Sequence, residues 1–155
     1  MLLSENELAT FAQFTGHTNL VYLEVKKNKL KNCAGICNMV RLQELYLNEN
    51  EITSLKDLSN LPMLKVLSAN TNKLESLDEL PSLPSLEKFD VGANPMEKLE
   101  EIKKLRNMHC LKTVVFAGCP FADEKGDDLK KEVLIALDHL KIKVVNEDEI
   151  TEEDI

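Results

Sequence analysis

The sequence has 155 residues, 43% of them hydrophobic but only 5% aromatic, with no Trp. That length fits one ordinary domain with enough apolar content for a core that needs neither disulfides nor metals. A net charge of −8, from 27 acidic and 19 basic residues, argues against unspecific nucleic-acid binding and against docking on an anionic membrane.

At the N-terminus, Met1-Leu2-Leu3-Ser4-Glu5-Asn6-Glu7 has no basic stretch followed by an apolar one, so no signal peptide is predicted. No apolar run approaches the roughly 18 residues of a membrane span. The four Cys then read as reduced thiols of a cytosolic compartment. Residues 1–18 are expected either to improvise a first cap, with Phe11 and Phe14 covering Leu3 and Leu8, or to pair with something there.

From residue 20 one phrase recurs. It reads Leu20-x-x-Leu23-x-Val25-x-x-Asn28-x-Leu30, then Leu42-x-x-Leu45-x-Leu47-x-x-Asn50-x-Ile52, then Leu64-x-x-Leu67-x-Ala69-x-x-Asn72-x-Leu74, then Leu86-x-x-Phe89-x-Val91-x-x-Asn94-x-Met96. These Asn stand 22 residues apart. A further copy, Leu111-x-x-Val114-x-Phe116-x-x-Cys119-x-Phe121, follows after 25 residues with Cys in the Asn place. One period before Asn28 lies Asn6, which predicts that the chain opens part-way through a repeat.

Alternation with period two predicts a short strand buried on one face. The Asn follows at the turn, where its amide can donate and accept hydrogen bonds at once. Stacked copies predict a ladder of Asn28, Asn50, Asn72, Asn94 and Cys119, with the thiol as a small, weak donor. Between strands, Leu55, Leu58, Leu61 and Leu64 recur every three residues, as do Leu74, Leu77, Leu80, Leu83 and Leu86. That is the 3₁₀ period, and Pro62, Pro81 and Pro84 would disrupt a regular α-helix. The longer repeat continues the spacing through Met96, Leu99, Ile102, Leu105, Met108 and Leu111; its charged, Pro-free stretch 97–107 is expected to be α-helical. Residues 127–139 suit an amphipathic helix over the end of the stack, and 142–145 a last strand. The tail 146–155 holds six acids and no base. Two readings stay open for it, a cap helix with Thr151 as its N-cap or a disordered acidic end.

The expected fold is therefore α/β, a solenoid with a parallel concave sheet, 3₁₀ or irregular convex turns and a C-terminal helical cap. One domain is expected over 1–145, with about six repeats and the cap at 122–145, before the acidic tail 146–155.

Strand side chains pointing away from the core of a solenoid line its concave face. Here they are Tyr22, Glu24 and Lys26; Glu44, Tyr46 and Asn48; Val66, Ser68 and Asn70; Lys88 and Asp90; and Thr113, Val115 and Ala117. The only two Tyr of the chain fall on this face, on neighbouring strands and diagonal to one another. Tyr is a favoured interface anchor, although it also simply suits an exposed strand. A protein partner is expected here.

No catalytic constellation emerges. Cys33-x-x-x-Cys37 lacks a second Cys or His pair at zinc spacing. His17, His109 and His139 read as surface residues too far apart to converge on a metal or nucleophile. Gly35, Gly92, Gly118 and Gly126 stand alone, and Gly16-His17-Thr18 lacks phosphate-loop context. Glu97, Glu100, Glu101, Glu152 and Glu153 are expected on solvated faces. The expectation is a protein that is not an enzyme, with no cofactor or metal and no nucleic-acid, membrane or small-molecule partner.

The recurring phrase resembles the leucine-rich repeat, and the resemblance covers nearly the whole chain. Its 22-residue period and helix-plus-strand ending are similar to the short-repeat subfamily. That group includes the protein phosphatase 1 regulatory subunit, the acidic nuclear phosphoproteins, the spliceosomal U2 A-prime protein and axonemal dynein light chain 1. The longer repeat 94–119, with Gly118-Cys119-Pro120-Phe121-Ala122-Asp123-Glu124 and Glu132-Val133-Leu134-Ile135-Ala136-Leu137, is similar to the ciliary radial-spoke leucine-rich repeat protein. The ending departs from the subfamily pattern: Asp138 stands in for a Pro, and Asn146 comes about two residues late. The resemblance implies a non-catalytic interaction scaffold in the cytoplasm, in its most specific form in ciliary or axonemal assembly. It leaves open a regulatory subunit of an enzyme such as a phosphatase, or an acidic nuclear, histone-binding protein.

Overall fold

In the computed structural model, which describes residues 1–14 and 17–154, every copy of the apolar phrase forms one three-residue strand. Thr15, Gly16 and Ile155 lie outside the described residues, and with them Gly16 of Gly16-His17-Thr18 and the last residue of the acidic tail. β1 (Tyr22–Glu24), β2 (Glu44–Tyr46), β3 (Val66–Ser68), β4 (Lys88–Asp90) and β5 (Thr113–Val115) pair in parallel and in chain order. The register is the repeat itself: Leu23, Leu45, Leu67, Phe89 and Val114 stand side by side, all fully buried. Val25, Leu47, Ala69, Val91 and Phe116 form a second buried column. Each buried Leu is worth roughly 1.5–3 kcal/mol, gained only when the next turn covers it. β1 to β5 bound about four turns, and an isolated Leu2–Glu24 bridge extends the sheet before β1.

The Asn ladder supplies the polar half of the stack. Asn50 Nδ2 donates to Leu47 O and Asn48 O of its own turn and to Val25 O of the turn before. Its Oδ1 accepts the Leu30 N–H of that earlier turn at 3.0 Å. Asn72 and Asn94 repeat the pattern one and two turns on. Asn28 does so toward Leu3 and Leu8, and Asn6 keeps the local part of it. One residue before each ladder position the backbone turns left-handed, at Lys27, Glu49, Thr71, Ala93 and Gly118. Cys119 keeps a single ladder bond, Sγ to Val91 O at 3.3 Å. Lacking an amide oxygen there, Met96 N–H turns to Asn94 O instead.

The convex arcs are built of single turns. Leu58 N–H donates to Leu55 O, Leu64 to Leu61, Leu80 to Leu77 and Leu86 to Leu83. Each loop of three thus returns a Leu to the core, and Pro62 and Pro84 occupy the first turning position, where a fixed φ fits. In the fourth arc the expected α-helix is instead a 3₁₀ helix, Leu99–Leu105. Three residues per turn keeps Leu99, Ile102 and Leu105 on one inward line, which 3.6 would not.

The cap also differs from the single helix expected at 127–139. Pro120 starts α1 (Pro120–Lys125), which buries Phe121 against Phe116. Gly126, at φ +52, ends α1, and a 3₁₀ turn leads into α2 (Leu129–Ala136). Leu129, Val133 and Leu137 bury the inner face. β6 (Val144–Val145) then pairs in parallel with β5, and β7 (Asp148–Glu149) folds back antiparallel on β6. Asn146 does not join the ladder; its Oδ1 accepts the N–H groups of Phe116 and Ala117. Thr151 opens a 3₁₀ turn, Glu152–Asp154, in which Asp154 accepts from the Thr151 N–H and hydroxyl. At the other end, Phe11 is buried and packs edge-on against Phe14, but Leu3 and Leu8 stay half-buried beside an apolar hollow of about 340 Å³.

Candidate functional site

The strand register sets the concave positions side by side, and they divide into two halves. In the first, β1 reads Tyr-Leu-Glu and β2 reads Glu-Leu-Tyr, so Tyr22 stands beside Glu44 and Glu24 beside Tyr46. The two rings are 5.4 Å apart between centroids and tilted by 42°. The Tyr22 hydroxyl donates to Glu24 at 2.5 Å, and the Tyr46 hydroxyl to Glu44 at 2.9 Å. Hydrogen bonding to Glu24, then burial, pushes the Tyr22 phenol up to about 12. Burial, then Glu44, pushes Tyr46 up to about 12 as well. Donation from Tyr22, then from Ser4, holds Glu24 below the usual carboxylate range. Lys26 Nζ lies 4.9 Å from the Tyr46 ring centroid and 3.5 Å from Glu24.

The second half is a polar network; Asn48 Oδ1, buried within it, has no hydrogen-bond partner among the described residues. Asn48 donates to Ser68 at 2.9 Å, and Ser68 donates to Asp90 at 3.0 Å. Asp90 also accepts from Asn70 and from the Gly92 N–H. Ser68, expected on the exposed face, is in fact buried, because Asn48 and Asp90 close over its small side chain. Gly92 occupies the concave position that Lys26, Asn48 and Asn70 fill in earlier turns. A Cβ there would come within 2.8 Å of Ala117 O and Asn70 Nδ2. Val66, Thr113 and Val115 are half-buried on the same face, and Lys88 is exposed.

Two readings of the remaining chemistry are corrected. The rings of His109 and His139 are 6.2 Å apart, because the longer fourth arc carries residue 109 up to the chain leaving α2. His139 Nε2 lies 2.6 Å from Arg106 O, and Arg106 pairs with Asp138. Glu101 is buried rather than solvated; it accepts the Leu77 N–H at 2.6 Å and pairs with Lys104, which also reaches Asp78. Burial alone would depress the Lys104 ammonium, but bonds to Asp78 and Glu101 outweigh it and raise its pKa. Ser4 belongs to the concave site too: it donates to Glu24 at 2.8 Å and accepts the Lys26 N–H. Stepping the 22-residue period back from Lys26 lands on Ser4, a signal that the sequence reading missed.

Cys33 is buried, with Cys37 half-buried, and all four Cys are free thiols. Among the described residues, no group of three or more His, Cys, Asp or Glu is arranged to hold a metal ion, and no helix is long and apolar enough to cross a membrane.

A parallel sheet stacked one strand per turn, with an Asn ladder beneath it, decides the architecture. The fold is a leucine-rich repeat solenoid. Residues 40–82 match the family model for leucine rich repeats (2 copies). No curated protein matches the sequence. Among solved structures, the solenoid is similar to an internalin of Listeria monocytogenes (TM-score 0.73, 19% identity), covering 94% of this chain and 40% of that one. It is similar to a leucine-rich repeat protein of Leptospira interrogans (TM-score 0.70, 26% identity), covering 92% of this chain and 36% of that one. A further likeness is to a chain of the Drosophila melanogaster SNF/U2A′ complex (TM-score 0.55, 14% identity), over 88% of this chain and 65% of that one. The leucine-rich repeat solenoid here thus spans about two fifths or less of the two bacterial chains.

Proposed function

We propose that this protein is a non-catalytic scaffold that binds a protein partner on the concave face of its solenoid, chiefly through the β1–β2 half. The observation that carries the reading is the Tyr22–Tyr46 pair, the chain's only Tyr, held side by side by carboxylates on a rigid sheet. A structural neighbour solved as part of the SNF/U2A′ complex supports it. A cytoplasmic, ciliary or axonemal setting rests on the resemblance of the longer repeat and the segment after it to the radial-spoke protein.

The test is affinity purification from the native cell with mass spectrometry, comparing the wild type with the doubly substituted Tyr22→Ala/Tyr46→Ala protein. Loss of the specific partners by a variant with an unchanged circular-dichroism spectrum is expected. An identical partner set would overturn the proposal. A phosphatase or histones among the partners would favour the regulatory-subunit or acidic nuclear reading instead.

A further inference from the structure

The β1–β2 checkerboard has a chemical preference that its own side chains display. Two aromatic faces and two carboxylates meet there, and one cation has already been drawn in: Lys26, over the Tyr46 ring and beside Glu24. Both hydroxyls point at carboxylates, which leaves the ring faces as the remaining contact surface. One ammonium does not balance Glu24 and Glu44. The Lys26 side chain is 37% exposed, so its ion pair is weak and its ammonium can move into water at little cost. A planar guanidinium stacks on an aromatic ring and binds carboxylates through paired donors, which a compact ammonium cannot do.

Building on the reading of this face as the partner surface, we propose that the protein partner presents an arginine side chain. It seats against Tyr22 and Tyr46, is held by Glu24 and Glu44, and displaces Lys26.

The sequence supplies a built-in probe. With two Tyr and no Trp, fluorescence excited beyond the Phe absorption band comes from Tyr22 and Tyr46 alone. N-acetyl-arginine amide is titrated at constant ionic strength, with N-acetyl-citrulline amide as the neutral isostere. A saturable change with the arginine compound and none with citrulline is expected. Lys26→Met, which removes the competing cation, should tighten binding about threefold or more, and Glu44→Gln should weaken it by a similar factor. An equal response to citrulline, or a Lys26→Met protein that binds arginine more weakly, would overturn the assignment. If the Tyr22→Ala/Tyr46→Ala protein loses its native partners while the wild type ignores arginine, the arginine assignment fails and the interface itself stands.

Discussion

Glu101 Oε2 accepts the backbone N–H of Leu77 at 2.6 Å, which ties the charged arc of the longest turn to the arc before it. Glu101→Ala leaves that buried N–H unpaired and strips Lys104 of a partner, so a loss of about 2–4 kcal/mol is expected. Glu101→Gln keeps an acceptor and should lose about 1 kcal/mol. Urea unfolding at unchanged slope measures both. Equal losses would mean that the hydrogen bond is not what joins the arcs.

Ladder positions are predicted to be unequal. Asn72→Ala unpairs the buried Ile52 N–H in the middle of the stack and removes one of two amide donors at each of the Leu47 and Ala69 carbonyls, which keep Asn50 and Asn94, so about 2–3 kcal/mol should be lost. Asn28→Ala should lose less, because its partners Leu3 O and Leu8 N–H lie at a part-buried end where water can replace the amide. Thermal melts of the two variants side by side would show the gradient.

The ladder and the strand register were legible because a strict 22-residue period converts directly into neighbours across the sheet. What escaped was decided by contacts between arcs. Glu101 looks like any surface acid until an unpaired backbone N–H from the preceding turn is brought to it. His109 and His139 look distant until three extra residues in the fourth repeat move one beside the other. Ser68 has an outward strand position yet is covered, since a small side chain between Asn48 and Asp90 is closed over by its neighbours. The apolar spacing of the cap is helical and so predicts one helix; Gly126, at positive φ, divides it from a first helix that Pro120 starts.

Gly35 is a strict test of the first turn. At φ +92, an added Cβ would lie 1.8 Å from Phe11 O, a backbone atom. Gly35→Ala should therefore displace the segment around Phe11 and cost several kcal/mol, about 3 or more. Hydrogen exchange should show protection lost at Phe14, whose N–H bonds Phe11 O, and retained in β3 and β4.

The tyrosines should titrate late. Both phenols are pushed up to about 12, against about 10 in an unfolded chain. Since the folded pKa is the higher one, their contribution to stability is complete below about pH 10 and is lost as pH rises from about 10 through about 12. Absorbance of the phenolate should show no step near pH 10 in the native protein and a full one in denaturant. A native step near 10 would contradict the Tyr–Glu hydrogen bonds.

The thiols should rank by burial. Burial pushes Cys33 up to about 12 and Cys119 up to about 11, whereas Cys110 is exposed and Cys37 half-buried. A thiol reagent at about pH 8 should label Cys110 first and Cys37 next, and reach Cys33 and Cys119 only on unfolding. Early labelling of Cys119 would mean that its bond to Val91 O opens in the native state.

Every amide of the ladder reaches backwards along the chain: Asn50 serves Val25 and Leu30, Asn72 serves Leu47 and Ile52, Asn94 serves Ala69 and Leu74. The stack is thus a zipper with a direction. Peeling a turn from the C-terminal side strips the fresh end of the amide that closed it. Peeling from the N-terminal side leaves the new outermost Asn bonded to its own carbonyls. Under tension in a single-molecule trap, this chain should fray from its first turns inward, with Asn146 and the α2–β7 cap as the anchored end.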